Sequence, residues 1–415
     1  MEVLSTIATV LIISTTILYA YHFLYMFIPL IPIKKKHKPL KMHRYAILIP
    51  ARNESAVIGH LLRSIDAQDY PKELIKVYVI ADNCTDDTAK IARDMGATVF
   101  ERFNKKQVGK GYALDYLLTQ IRETEGLDRH DVFMIFDSDN LLEPDYISQI
   151  NQTFSDGYSA ACGFRNTKNY DSNWISAGYG VWYLHDSGHL NRSRSMLHLN
   201  AGVSGTGFGF TRQLVEQLGG WKFFTLTEDL EFNAWSSAHG VRIGYCHDAI
   251  LYDEQPTTLP VSWRQRIRWV QGGFQVAFRH TGSMLKGLFK GRWQTFSCLE
   301  CLSLTPWGAV LATTGCVLSF LCVFLAAGFE ALLWTLLYSA LSALGGMILM
   351  GAITVFMSWK RIRATTAQKL WSILAFIPFM ITFTMCLFAA PFCKFQWLPV
   401  QHTVAVGNDA LQKKS

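Results

Sequence analysis

Four stretches of this chain contain no Lys, Arg, Asp or Glu: residues 3–33, 301–329, 331–359 and 370–393. A helix needs about 20 apolar residues to cross the hydrocarbon core of a bilayer. Each stretch passes that length, so the sequence predicts about four transmembrane helices, one N-terminal (1–33) and about three between 301 and 393. In the first run the basic residues follow the apolar segment and no small-residue cleavage site is present. That pattern is a retained anchor, not a cleaved leader. Lys34, Lys35, Lys36 and Lys38 come next, in a basic linker spanning 34–43. Lysine and arginine collect on cytosolic loops, which assigns the region after the linker to the cytosol. Lys360, Arg361 and Arg363, and before them Lys286, Lys290 and Arg292, fall on the same side, while the turn at Glu330 has no basic residue and reads as external. Pro378 and Pro391 kink the last run or limit its insertion, which leaves the side of the tail (394–415) open. Trp397 to Thr403 in that tail is polar enough to lie outside the bilayer.

At 50% hydrophobic and 17% charged, the 415 residues are too apolar for an ordinary soluble protein. The net charge of +7 is accounted for by the basic loops. No Lys/Arg stripe interleaved with aromatics is present, so a nucleic-acid partner is not expected. The 9 cysteines, an odd number scattered throughout, fit a reducing compartment. Cys298 and Cys301 form a C-x-x-C without a second pair or nearby His to complete a zinc site.

Residues 44–282 read as a soluble α/β domain. Strands are predicted over 44–49, 75–81, 98–101 and 132–136, and helices over 55–67, 85–95 (capped by Thr85) and 110–124. Alternating strands and helices indicate a mostly parallel sheet, with ligands beyond the carboxyl ends of its strands. Residues 283–300 read as an interfacial segment. Residues 174–198, rich in Trp, Tyr, Leu and Met, fit a helix lying on the membrane or one packed against the sheet equally well.

Acidic residues gather where that sheet would bind a ligand. Asp137-Ser138-Asp139 ends a buried strand, and strand alternation would turn both carboxylates to one side. Such a pair suits a hard cation, Mg2+ or Mn2+, that neutralises a leaving diphosphate. It equally suits a strand-to-loop turn. Asp82 fits a contact to a nucleobase or ribose as well as an Asx turn. Pro50, Arg52 and Glu54, at the end of the first strand, are its neighbours. Lys110 sits at a helix start, where free N–H groups and a cation attract phosphate. Thr227-Glu228-Asp229 opens another helix. There Thr227 caps, and Asp229 is a candidate general base that would invert a sugar carbon; good dipole chemistry alone would account for the same residues. Gly205-Thr206-Gly207 would let an acceptor approach the backbone. Glu228 belongs to the same acceptor side. Trp221 either stacks on an acceptor ring or fills the core. Gln265, Arg268 and Trp269 stand at i, i+3 and i+4 on one helical face, a guanidinium for phosphate beside an indole for a ring.

The order of these elements, D, D-x-D, T-E-D and Q-x-x-R-W followed by membrane runs, resembles the membrane-integrated family 2 glycosyltransferases. That family includes the cellulose, chitin, hyaluronan and poly-N-acetylglucosamine synthases. The resemblance covers residues 46–278 and the flanking spans. It implies a GT-A nucleotide-diphospho-sugar transferase fold inserted between transmembrane helices, and a UDP-sugar donor. Asp82 would lie near the uracil, Lys110 near the nucleotide, and Asp137 and Asp139 around diphosphate and metal. Asp229 would be the catalytic base, and Gln265, Arg268 and Trp269 would hold the pyrophosphate and cap the acceptor. In polymerases of the family the product leaves through a channel of membrane helices. About four spans is few for a channel, which a partner subunit or second copy would complete. Regulation through a cyclic-dinucleotide-binding domain after the spans is not expected. The expectation is therefore an inverting, processive polysaccharide synthase of the plasma membrane, with a growing glycan as acceptor. Its rivals are transfer of one sugar to a membrane lipid and, from another class, a transporter with a cytosolic regulatory domain.

Overall fold

The computed structural model describes residues 1–32 and 37–394. The lysines at 34–36 and the tail segment 397–403 lie outside the described residues. The chain opens with helix α1 (Glu2–Leu24) and then enters the α/β domain: β1 (Tyr45–Ala51), α2 (Ile58–Asp66), β2 (Ile75–Asp82), α3 (Thr88–Asp94), β3 (Thr98–Arg102), α4 (Lys110–Thr124), β4 (Val132–Ile135), β5 (Leu141–Leu142), α5 (Tyr146–Ser155) and β6 (Ala160–Thr167). There follow α6 (Trp174–His185), a π-helical turn (Asp186–Asn191), α7 (Arg192–Met196), β7 (Phe208–Thr211), α8 (Arg212–Leu218), α9 (Glu228–His239) and β8 (Ile243–Asp253). The C-terminal part is helical: α10 (Leu259–Gly287), α11 (Arg292–Leu304), α12 (Pro306–Met357) and α13 (Thr366–Ala389).

The strands form one sheet in the order β3-β2-β1-β4-β7-β6-β8-β5. Pairs β3-β2, β2-β1, β1-β4 and β6-β8 are parallel, and β4-β7, β7-β6 and β8-β5 are antiparallel. The central strands are apolar on both faces because helices cover both. Ala46, Leu48, Tyr78 and Ile80 enter one core, and Tyr45, Ile47, Ile49 and Val79 enter the other. Parallel pairing brings the carboxyl ends of β1, β2 and β4 to the same edge, where Arg52, Asp82 and Asp137 emerge.

Several local expectations change. The 85–95 helix starts only at Thr88 with Asp87 as its N-cap. Thr85 instead donates its backbone N–H to Asn53 Oδ1 at 2.8 Å, tying the loops after β1 and β2 together. The 174–198 region is a helix packed between the sheet and α13: Ile175, Tyr179, Val181 and Leu184 are all buried in the same core as Phe376 and Phe379. Residues 283–300 are the end of α10 and most of α11. Cys298 and Cys301 there pack with Ala234, Ala238 and Met284 as small core hydrophobes.

Three segments are long and apolar enough to cross a membrane: Glu2–Leu30, Pro306–Met357 and Thr366–Phe392. The second is broken by the non-helical backbone of Gly328 (φ 81°, ψ −173°). The expected turn at Glu330 thus falls two residues earlier, at a residue without Cβ strain in that conformation. The stretches 306–327 and 329–357 on either side correspond to two of the apolar runs. Helix α1 lies along α12, and its Tyr19 hydroxyl donates to the Ser303 carbonyl at 2.9 Å. Pro378 sits inside α13, which continues past it to Ala389.

Candidate active site

Lys110 is the hub of the site. It begins α4 and directs its ammonium to the Asp137 carboxylate, to the Gly205 carbonyl at 2.7 Å and toward Glu228 at 3.9 Å. Burial disfavours the charged amine, but the surrounding Asp137, Glu228 and Asp229 outweigh it and hold its pKa above the ordinary lysine value. The same burial pushes Glu228 up to about 7, helped by the charge of Asp229 and opposed by Lys110 and Arg268. Asp229 is raised as well, again by burial first. Asp229 Oδ1 accepts the Leu230 N–H at 2.8 Å, and a Cβ on Gly205 would stand 3.5 Å from Asp229 Oδ2. Lys110, Asp137, Gly205, Glu228 and Asp229 therefore share one locus. Acids with raised pKa in such a locus suit proton transfer near neutral pH.

The two carboxylates of D-x-D part company. Strand β4 ends at Ile135, so Asp137 and Asp139 lie in a turn and strand alternation does not apply. Asp137 is 35% exposed beside Lys110, whereas Asp139 is 2% exposed. Asp139 accepts the Glu254 N–H at 3.0 Å and stands against Asp253. Asp253 in turn takes Arg165 Nε at 3.0 Å and Asn140 Nδ2 at 3.1 Å. Among the described residues no three His, Cys, Asp or Glu side chains converge as a ready metal cage. The fit to Mg2+ or Mn2+ is that of an ion using few protein ligands. Asp137 is an accessible hard-oxygen donor, and a lysine cation already stands where positive charge is needed.

Of the Gly-rich stretch, only Gly205 faces the site. Thr206 is 3% exposed and spends its hydroxyl on Asn140 Oδ1 and on the Asp137 N–H, the latter at 2.9 Å. Gly207 is buried at φ 63°, where a Cβ would meet Leu251 Cδ2 at 1.8 Å. Thr206 and Gly207 are buried and brace the D-x-D turn from within, away from the exposed side where an acceptor is expected. Trp221 is likewise a core residue, 1% exposed among Phe208, Phe210, Phe223 and Phe232, with Nε1 donating to the Phe223 carbonyl at 2.9 Å. Thr227 occupies the N-cap position of α9, but its side chain makes no cap hydrogen bond. A Cβ on Gly272 of α10 would come within 2.4 Å of Thr227 Oγ1, so α10 presses directly against the start of α9.

Gln265, Arg268 and Trp269 do share a face of α10. Arg268 Nη1 donates to the Leu226 carbonyl at 2.9 Å, just before the T-E-D acids, and pairs with no carboxylate among the described residues. Gln265 Oε1 is buried and finds no hydrogen-bond partner among the described residues. Trp269 stands edge-on to Tyr179 of α6 (5.9 Å, 88°). Tyr179 in turn meets Phe379 of α13 at 4.8 Å, so an aromatic run leads from Trp269 to a helix long and apolar enough to cross a membrane.

Asp82 is buried, and its Oδ1 accepts Arg102 Nη1 at 2.7 Å. Pro50 pairs in register with Ile80, which sets Arg52, one residue past β1, beside Asp82. Glu54 is buried and donates its N–H to Thr88 Oγ1 at 2.8 Å. These residues form a second group at the same sheet edge.

Sequence reading missed the frame that holds these groups. Glu231, one turn into α9, accepts the N–H groups of Phe224 and Thr225 at 2.9 Å each, and also Arg279 at 2.8 Å. Burial opposes its charge, but these donors and His280 hold its carboxyl down to about 2. Arg266, next to Gln265 and turned about 100° from it around the helix, is fully buried. It donates to the Phe379 carbonyl and to Thr382 Oγ1, both at 2.9 Å, binding α10 to α13. Nothing in the sequence marks it, because Arg266 and Trp269 stand at i and i+3 and share a side of the helix.

The sequence pattern described as "Glycosyltransferase like family 2" matches residues 43–272. The chain is 28% identical over 235 residues to a beta-monoglucosyldiacylglycerol synthase from Synechocystis sp., a match covering 55% of this chain and 47% of that protein. It is 24% identical over 259 residues to the poly-beta-1,6-N-acetyl-D-glucosamine synthase of Staphylococcus epidermidis, covering 62% of this chain and 60% of the other. The chain thus spans about half to three-fifths of the length of these relatives. Among solved structures, a mannosyltransferase from Pyrobaculum calidifontis, in complex with GDP-Man and Mn2+, superposes with a TM-score of 0.56 at 18% identity, over 93% of this chain and 99% of that one. That likeness is one of fold, the GT-A arrangement with flanking apolar helices.

Proposed function

Because the chain belongs to glycosyltransferase family 2 and is a hexosyltransferase set among membrane-type helices, we propose that it is an inverting transferase of the plasma membrane that builds a β-linked polysaccharide processively from a UDP-sugar. The observation that carries this reading is the cluster of Lys110, Asp137, Glu228 and Asp229 at the mouth of the sheet, with the aromatic run from Trp269 toward α13. Asp229 takes the proton of the acceptor hydroxyl. The freed oxygen attacks the anomeric carbon, the bond to the diphosphate breaks, and the configuration inverts from α to β. Lys110 and Arg268 offset the charge left on the departing nucleoside diphosphate. Asp82, with Arg52 beside it, borders the nucleoside. A divalent ion, when bound at Asp137 with Asp139 shaping the turn, would supply Lewis-acid neutralisation of the diphosphate. Glu228, Trp269 and Gly205 line the acceptor side. The catalytic domain faces the cytosol under the basic-loop rule.

A second reading is supported by the likeness to the beta-monoglucosyldiacylglycerol synthase: one sugar passes to a lipid hydroxyl arriving along α13. The test incubates the purified full chain with a panel of labelled UDP-sugars and separates products by size. A ladder or high polymer, lost on Asp229→Asn, is expected. A single glycolipid spot overturns processivity, and unchanged turnover in Asp229→Asn overturns the assignment of the base.

A further inference from the structure

A small pocket outside the sugar site lies where the catalytic domain meets the end of α12. It is lined by Gly188 and His189 of the π-helical turn, Arg192 of α7, His247 of β8, and Ser358 and Arg361 just past Met357. Three observations bear on what it holds. Arg192 pairs with no carboxylate among the described residues, and its Nη1 donates to His247 Nε2 at 3.5 Å. Arg361 lies over the Phe164 ring at 4.2 Å and donates to the His247 carbonyl at 2.9 Å; its one acidic partner, Asp248 at 3.4 Å, is 68% exposed. His189 is completely buried, stacked on His185 with ring centroids 5.3 Å apart and turned toward the Met26 carbonyl, so it brings no acid to the pocket. Two guanidiniums in one pocket, with a single exposed carboxylate between them, favour a ligand that is anionic and accepts hydrogen bonds.

The place narrows the ligand. The apolar run of α12 ends at Met357, so Ser358 and Arg361 stand at the level of bilayer headgroups. Basic pockets at that level bind lipid phosphates, and guanidinium forks match phosphate oxygens. We propose that this pocket binds the headgroup phosphate of an anionic membrane lipid, with Arg192 and Arg361 on its oxygens. The site is separate from the sugar-transfer residues and does not depend on their assignment. It would seat the domain on the bilayer at the base of α12.

The test is native mass spectrometry of the full chain released from nanodiscs containing phosphatidylglycerol or phosphatidylcholine, alongside titration with inorganic phosphate. One phosphatidylglycerol retained per chain is expected, weakened about fivefold in Arg192→Gln and largely recovered in Arg192→Lys. Arg192 makes no ion pair among the described residues, so its variants are expected to keep the wild-type thermal midpoint. A photoreactive phosphatidylglycerol should label the wild-type chain within 188–192 or 358–361, which needs no variant. Equal retention by wild type and Arg192→Gln, or labelling only elsewhere, overturns the proposal. Binding of inorganic phosphate without phosphatidylglycerol overturns the lipid source.

Discussion

The Lys110 ammonium stands 3.9 Å from the Glu228 carboxylate while paired with Asp137. One cation thus restrains the acids of two separate motifs. Glu228 is held at about 7, above the 4.5 of a free glutamate, chiefly by burial and despite Lys110. The rate of transfer is expected to rise with pH on an acid limb near neutrality, as the acids lose their protons. Lys110→Met removes a lowering influence, so the limb should move to higher pH as kcat falls. A pH–rate profile whose acid limb stays in place in Lys110→Met would refute the coupling. Folding responds in the opposite direction. The folded state holds the Glu228 proton more tightly than the unfolded chain, so stability is lost as pH rises from about 4.5 to about 7. Glu228→Gln should flatten that slope in thermal melts.

Glu231 clamps the loop ahead of Glu228 and Asp229. Its carboxyl is depressed to about 2, so its stabilisation is complete above the ordinary glutamate pKa and is lost as pH falls from about 4.5 towards about 2. Glu231→Gln keeps an acceptor oxygen but loses charge-assisted bonds to Arg279 and His280, a cost of about 1–3 kcal/mol. Urea unfolding at neutral pH measures it, and an unchanged midpoint would remove Glu231 from the frame. Activity should fall as well, because Phe224 and Thr225 lead directly into Glu228 and Asp229.

Arg266 joins α10 to α13 through two hydrogen bonds and the Phe379 ring, 4.4 Å from the guanidinium. Arg266→Ala should cost about 3–5 kcal/mol, since it opens a cavity and strips hydrogen bonds inside the packed helices. Arg266→Lys should restore less than half, because an ammonium lacks the planar fork that reaches Ser262, Phe379 and Thr382 together. Melting in detergent and transfer rate should drop in parallel.

The two tryptophans should separate cleanly. Trp221→Phe should lower stability by about 1–3 kcal/mol, losing packing and one buried hydrogen bond, with the acceptor KM unchanged. Trp269→Ala should raise the acceptor KM or shorten the product. A raised acceptor KM in Trp221→Phe would contradict its place in the core.

Chelation with EDTA should abolish transfer, and Mn2+ or Mg2+ should restore it. Asp137→Asn should raise the metal concentration needed for half-maximal rate. Full activity in EDTA would leave Lys110 and Arg268 as the only neutralising groups for the diphosphate.

Much of the molecule was legible in the linear chain. The central strands are apolar on both faces, so they stand out without partners being known. The helix beginning at Lys110 has the bounds its pattern predicts. Charge-free runs announce membrane helices because no soluble surface tolerates them. The acidic tips at Asp82 and Asp137 fall at the sheet's carboxyl edge because parallel pairing sends the ends of β1, β2 and β4 one way. Legibility failed where a residue's role depends on what lies across from it. Thr206 and Trp221 have side chains suited to a sugar, yet both are turned inward. Asp139 shares a motif with Asp137 but faces Asp253, because the turn after β4 breaks the alternation of the strand.

Sequence order and residue type alone determined the α/β domain between apolar helices, the family, and which acids and cations would be gathered. Tertiary structure decided which of them meet. Periodicity reports the face a residue occupies on its own element, whereas burial and charge coupling depend on the element packed opposite. Lys110, Asp137 and Glu228 are far apart in the chain, and only the folding of α4, the β4 turn and α9 against one another brings their charges within reach. The same holds for Arg266, whose partners on α13 lie more than a hundred residues away.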